Sequence, residues 1–140
     1  MFFIWGKKGV FMKYKMALFG ETERGQFKTP YKCHSLDQLV DYFGNPPPDT
    51  HGIEFAIQAL SFKYELIFFR VKQEGYSTDD YLYGIKYLEQ RYKESTLDAI
   101  GLPGVGDYEI LDATINLINR FKTILVISEK DLYDYVTSRC

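Results

Sequence analysis

Cysteine is scarce. Cys33 and Cys140 are the only two in 140 residues. Their spacing suits neither a disulfide framework nor a metal site. Two free thiols fit a reducing compartment, and a cytoplasmic location is expected. Long hydrophobic runs are also missing, since nothing approaches the ~18 apolar residues that a membrane span needs. Met1 to Trp5 is apolar, but Gly6, Lys7 and Lys8 end it too soon for a signal-peptide core. Charge of one sign is not in excess either. The net charge is −2, which argues against nucleic acid as the main partner, because phosphate binding needs a clustered positive field. The one basic stretch, Lys7, Lys8, Lys13 and Lys15, reads as a solvated strand edge.

Apolar residues are plentiful. They make up 46% of the chain, and charged residues 26%, the balance of a soluble globular domain rather than a disordered one. Aromatic residues reach 17%, with 12 Tyr and 11 Phe. A domain of this size cannot bury all of them, and tyrosine with one wet end is favoured at protein interfaces. A protein partner or self-assembly is therefore expected.

Periodicity predicts the elements. Val10–Phe19 starts by alternating and ends fully apolar, as a strand entering a covered sheet does. Residues 20–34, with Gly25 and Pro30, read as a polar loop. Ser35 with Gln38 forms a capping box, and Leu36, Leu39, Val40 and Phe43 then mark one face of a short helix. Asn45 and Pro46–Pro48 make a stiff connector. A second helix is expected over Ile53–Phe62. Glu65–Val71 holds the buried-strand run Leu66-Ile-Phe-Phe69. Ser77 or Thr78 caps a helix whose inward face is Tyr81, Leu82, Ile85, Leu88 and Tyr92. Leu97–Ile100 is a short strand. Asp107 caps a helix through about Arg120, with Ile110, Leu111, Leu117 and Ile118 inward. Thr123–Ile127 is a β-branched strand, and Ser128 with Asp131 opens a last helix ending near Ser138.

Strands alternating with amphipathic helices define the fold class: α/β, a three-layer sandwich with a mostly parallel sheet of about four strands and helices on both faces. Residues 10–140 read as a single domain, preceded by an extended arm at residues 1–9.

In such sheets a ligand sits beyond the carboxyl ends of the strands. The polar residues expected there include Glu21, Glu23, Arg24, Arg70, Glu74 and Asp107. Glu21, Glu23, Arg24, Arg70 and Asp107 would form the site of a small nucleotide- or nucleoside-processing enzyme, the alternative reading. No recognised catalytic motif backs it. Gly101-Leu-Pro-Gly104-Val-Gly106 follows a strand and opens a helix, but it lacks the dinucleotide glycine order, and Asp107 would repel a phosphate. Gly20-Glu-Thr-Glu-Arg-Gly25 lacks the Lys-Ser/Thr of a P-loop. His34 and His51 have no cysteine or acid at ligand spacing. No cofactor and no metal are expected.

From Val10 to about Val136 the sequence resembles the core domain of contractile tail sheath proteins, the subunits of phage tails and related injection machines. Ala17-Leu-Phe-Gly-Glu-Thr-Glu-Arg-Gly25 is similar to that family's strand and following loop. Thr29-Pro30, Ser35-Leu36 and Tyr42-Phe43-Gly44 match in order, as do Ile53–Leu60, Leu66-Ile-Phe-Phe-Arg-Val71, Tyr81–Leu88, Ile100-Gly-Leu-Pro-Gly104, Ile110–Leu117 and Thr123–Ile127. The resemblance implies a structural, non-catalytic subunit that polymerises with itself around a tube-like partner, in the cytoplasm or in a phage-like particle. In that family, terminal arms add strands to a neighbour's sheet. Phe2, Phe3, Ile4 and Trp5 are the matching candidate interface. Sheath proteins are usually longer, with a C-terminal region that completes the intersubunit sheet. A reduced sheath-like protein, a cap or adaptor, or an excised domain is the expectation that follows.

Overall fold

Two apolar faces on one sheet organise the molecule. The computed structural model describes residues 14–91 and 97–138. In chain order the elements are β1 (Lys15–Gly20), β2 (Pro30–Cys33), α1 (Leu36–Phe43), α2 (Gly52–Ser61), β3 (Glu65–Arg70) and α3 (Thr78–Arg91). They continue with β4 (Ala99–Gly101), α4 (Tyr108–Ala113), α5 (Ile115–Phe121), β5 (Ile124–Val126) and α6 (Glu129–Ser138). The five strands lie in the order β2-β3-β1-β4-β5. β1, β3, β4 and β5 run parallel, and β2 alone is antiparallel. The chain is thus an α/β three-layer sandwich.

Side-chain alternation sorts the core in two. On one face Ala17, Phe19, Ile67, Phe69 and Ile100 pack against α3, α4 and α5 through Tyr81, Ile85, Leu88, Ile110, Leu111 and Leu117. On the other, Met16, Leu18, Leu66, Phe68 and Ala99 meet α1 and α2 through Leu39, Phe43, Ile53, Ala56 and Leu60. The rings of Phe19 and Phe69 stack with centroids 4.8 Å apart, and Phe43 meets Phe68 at 4.7 Å. Burying β1 and β3 on both faces is what their continuous apolar runs require.

The structure corrects the expected outline in three places. The sheet has five strands rather than about four. The segment read as loop contains β2, which pairs antiparallel with β3 from Pro30 opposite Phe69 to Cys33 opposite Leu66. Pro30 stands at the start of this edge strand, where its missing N–H does no harm. Third, the helix expected from Asp107 to Arg120 is two helices. They meet at Thr114, which is fully buried and whose hydroxyl turns back to the Leu111 carbonyl at 2.6 Å. That bond competes with the helix ladder. Capping follows the expected pattern at Ser35, where Oγ accepts the Gln38 N–H at 3.2 Å. The Gln38 side chain reaches back one residue further, to the His34 N–H. The strand expected from Val10 begins at Lys15 among the described residues. Val10–Lys13, the residues 1–9 arm, Tyr92 and Cys140 lie outside them.

Candidate functional site

The parallel strands bring their following loops to one rim of the sheet, where a ligand would sit. β1 carries Gly20 and Glu21 there, β3 carries Arg70 to Tyr76, β4 carries Gly101 to Asp107, and β5 carries Ile127 and Ser128. α2 begins directly over the end of β1. A Cβ at Gly20 would lie 2.7 Å from the Gly52 Cα, so only two glycines allow this approach.

The five residues of the alternative reading all occupy this rim or its border, and the side chains of four of them, Glu21, Arg24, Arg70 and Asp107, bond the chain's backbone rather than one another. Arg70, at the end of β3, donates through Nη1 to the Gly25 carbonyl and through Nη2 to the Thr22 carbonyl at 3.2 Å. Its guanidinium also lies 4.3 Å over the Phe27 ring. Arg24 turns to α1, donating to the carbonyls of Val40 (2.8 Å) and Asp41 (3.3 Å). α1 has no basic residue of its own in its last turn, so Arg24 supplies the charge that satisfies orphan carbonyls and the helix dipole. Asp107 caps α4, accepting the N–H groups of Glu109 (2.8 Å) and Ile110 (3.3 Å). Glu23 is exposed, and its backbone N–H donates to the Phe43 carbonyl. Glu21 accepts the Glu74 N–H at 3.2 Å. Glu21 and Glu23 do not face one another: the first faces the β3 loop and the second faces Gly44 at the end of α1.

A different group of side chains surrounds the rim's cavity. An open hollow of about 510 Å³ is lined by Asp49, His51, Phe55, Glu74, Asp131 and Asp134, among others. Glu74 accepts the His51 N–H through both carboxylate oxygens, at 3.0 and 3.2 Å, at the start of α2. Burial pushes its carboxyl above the ordinary range, and the N–H groups of His51 and Gly52 pull the other way. Asp131 accepts the Gly104 N–H at 3.0 Å. Gly106 packs so closely on α6 that a Cβ there would lie 2.7 Å from the Asp134 Cβ. The glycine loop is therefore a packed turn, closed by α6. Tyr81 is fully buried beneath it, its hydroxyl accepting the Gly75 N–H at 2.7 Å.

Sequence reasoning placed Glu74 near the rim and left out Asp131 and His51. Asp131 appears only as the partner of Ser128, which does accept its N–H at 3.1 Å. His51 looks isolated in sequence, and its neighbours here come from Glu74, 23 residues on, and from Glu54, whose Oε2 lies 3.3 Å from Nδ1. A wider, shallower depression of about 660 Å³ borders the start of α3 at Lys28, Lys72 and Asp80. Asp80 there accepts the Lys72 N–H at 3.0 Å.

Among the described residues no three His, Cys, Asp or Glu side chains are grouped to hold a metal ion, and no helix is long and apolar enough to cross a membrane. No protein-family model, no curated protein and no solved structure matches the chain.

Proposed function

We propose that the chain is a non-catalytic structural or assembly protein that self-associates or docks on a protein partner, in the manner of a contractile tail sheath core domain. One observation carries this reading. The charged side chains at the strand ends are bound to the chain's own backbone: Arg70 holds the 22–25 loop, Arg24 ends α1 and Asp107 starts α4. A catalytic group must be free to meet substrate or the reacting atoms, and these are engaged in holding loops. Large apolar side chains meanwhile stand exposed, Leu36 and Val40 on α1 and Leu132 and Tyr133 on α6 among them, which suits a surface for protein contact.

The test is sedimentation across a concentration series, comparing the full chain with one lacking residues 1–9. Assembly that rises with concentration and falls with the truncation supports the reading. A monomer in both cases at high concentration overturns it. The cavity favours a second reading, the nucleotide- or nucleoside-processing enzyme. Its carboxylates Asp49, Glu74, Asp131 and Asp134 outnumber its one lysine, Lys130, which narrows that reading to an uncharged nucleoside, since a nucleotide's phosphate would meet like charge there.

A further inference from the structure

The sheet has two edges, and only one is guarded. An edge strand offers unpaired N–H and C=O groups to any other strand, and lysine or proline on it discourages such pairing. β2 carries both, Pro30 at its start and an exposed Lys32. β5, at the other edge, is Ile124-Leu125-Val126 and carries neither. The Ile124 N–H donates to the Asp98 carbonyl at 2.8 Å. In a parallel ladder alternate residues turn their N–H and C=O to opposite sides, so those of Leu125 point away from β4. Among the described residues no strand pairs with that outer side.

Apolar side chains stand exposed beside this edge. Ile124 is 40% exposed. α6, which follows β5, turns Asp131 and Tyr135 to the body, one to the Gly104 N–H and the other to the Asp112 carboxylate. Lys130 and Asp134, on one flank of the helix, line the hollow beside the β4 loop. At about 100° per residue Leu132 falls on the opposite flank, the side of the free edge, where it is 48% exposed.

Charge decides which strand fits. Lys122 precedes β5 and Glu129 follows it, and both are exposed. A parallel strand of this same sequence would set each charge beside its like. An antiparallel one sets Lys122 beside Glu129 at both ends. A two-fold axis at Leu125 produces that arrangement and closes the assembly at two copies. The two Leu125 residues then exchange both backbone bonds. Ile124 of each copy faces Val126 of the other as a non-hydrogen-bonded pair, with Cα atoms about 4.5 Å apart. The edge is thus complementary to itself.

We propose, resting on the reading that the chain self-associates, that the outer edge of β5 is its pairing surface for a second copy. β5 runs antiparallel to β5 of that copy about a two-fold axis at Leu125, which joins the two five-stranded sheets into one continuous sheet. Leu132 of α6 lies beside the seam, and Lys122 pairs with Glu129 across it. The pairing consumes the unguarded edge, and the β2 edges, with Pro30 and Lys32, bound the joined sheet.

Sedimentation equilibrium of the full chain over a concentration series gives the dissociation constant. Each Lys122–Glu129 contact occurs twice, and reversing one partner turns attraction into repulsion. Lys122→Glu and Glu129→Lys should therefore each raise the constant on the order of tenfold. The double variant Lys122→Glu/Glu129→Lys should bring it back near the parent value. Ile124→Lys should leave a monomer; where that variant does not fold, the charge series, at two exposed positions, decides alone. Leu36→Lys, an exposed change on α1, should leave the constant as it was. In a Cys140→Ser background, copies with Ile124→Cys and copies with Val126→Cys should form a disulfide when mixed, since their Cα spacing is one a disulfide spans. Assembly that survives Ile124→Lys and both charge reversals overturns the proposal and leaves the self-association reading standing. So does a double variant as weak as the single ones, and so does an assembled mixture that forms no such disulfide. A chain that is monomeric at every concentration overturns both.

Discussion

Replacing Arg70 separates a loop clamp from a functional arginine. Its guanidinium makes two well-formed bonds, to the carbonyls of Gly25 and Thr22, and lies over Phe27. The contact to the Glu23 carbonyl, at 3.5 Å, is at the limit of a hydrogen bond and is given no weight. Hydrogen bonds from a charged donor contribute about 1.5–3 kcal/mol each, and a partly exposed cation–π contact about 0.5–1 kcal/mol. The lower ends apply, because the side chain is only partly buried and water replaces part of what is lost. Nε is buried without a partner, and its removal relieves a small cost. The balance is about 3 kcal/mol for Arg70→Ala. In a domain of this length each kcal/mol moves Tm by about 3–4 °C, so a fall of about 10 °C is expected in thermal unfolding.

Arg70→Lys sharpens the reasoning. Lysine keeps the charge but has one donor head where arginine offers a planar fork. It can serve one of the two carbonyls, so about half of the loss should remain. Hydrogen exchange gives the local signature: the N–H groups of Glu23 and Arg24, bound to the Phe43 carbonyl at 3.2 and 3.3 Å, should lose protection in either variant. An arginine kept for a ligand behaves otherwise, because its removal is neutral or stabilising. A Tm change below about 2 °C in Arg70→Ala, with protection at Glu23 intact, refutes the clamp.

Gly52→Ala should destabilise by about 2–3 kcal/mol, since its Cβ would lie 2.6 Å from the Gly20 Cα and push α2 off β1; the helix-propensity gain of about 1 kcal/mol predicts the opposite sign, and denaturant unfolding decides between them. Glu74→Gln tests the buried carboxyl. Its pKa is raised in the folded state, so that state binds more protons and stability falls as pH rises from the unfolded pKa through the folded one. The stability of Glu74→Gln relative to the parent should therefore be lowest below the ordinary carboxyl value of 4.5 and rise as pH increases above it in paired melts. A flat difference removes the burial argument. The thiol of Cys33 is fully buried and pushed up to about 12 by that burial. In a Cys140→Ser background it should react with a thiol reagent only at the rate of unfolding, and rapid reaction in the native state counts against its placement.

The parts of the fold that were legible share one property: their signal is local. Leu66–Phe69 is a buried run flanked by turns, and Leu39 and Phe43 stand four apart with a cap in front. β2 was illegible because an edge strand needs to bury only alternate residues. Tyr31 and Cys33 turn inward while Lys32 is exposed, and four residues with one inward pair look like a loop. The break at Thr114 depends on one hydroxyl choosing the Leu111 carbonyl, which no periodicity records. At the rim the residue types were legible and their roles were not. Asp107 acts three residues from itself, and its cap could be read. Arg70 acts on carbonyls 45 and 48 residues away, and backbone carbonyls leave no mark in a sequence.

That difference bears on what the rim is built for. In a parallel α/β fold the N–H groups at helix starts and glycine turns are natural anion sites. Here each of three is filled from within: α2 by Glu74, α4 by Asp107 and the Gly104 turn by Asp131. A carboxylate in such a place satisfies orphan donors and stabilises the turn. It also takes the position a phosphate would need, and adds a negative charge that repels it. A site evolved for a phosphorylated ligand would leave at least one of these donors open. The carboxylates instead tie the rim together and give its hollow a negative lining. One lysine is already in place: Lys130 lines the hollow beside Asp131 and Asp134, so the chain supplies part of the counter-charge to its own rim.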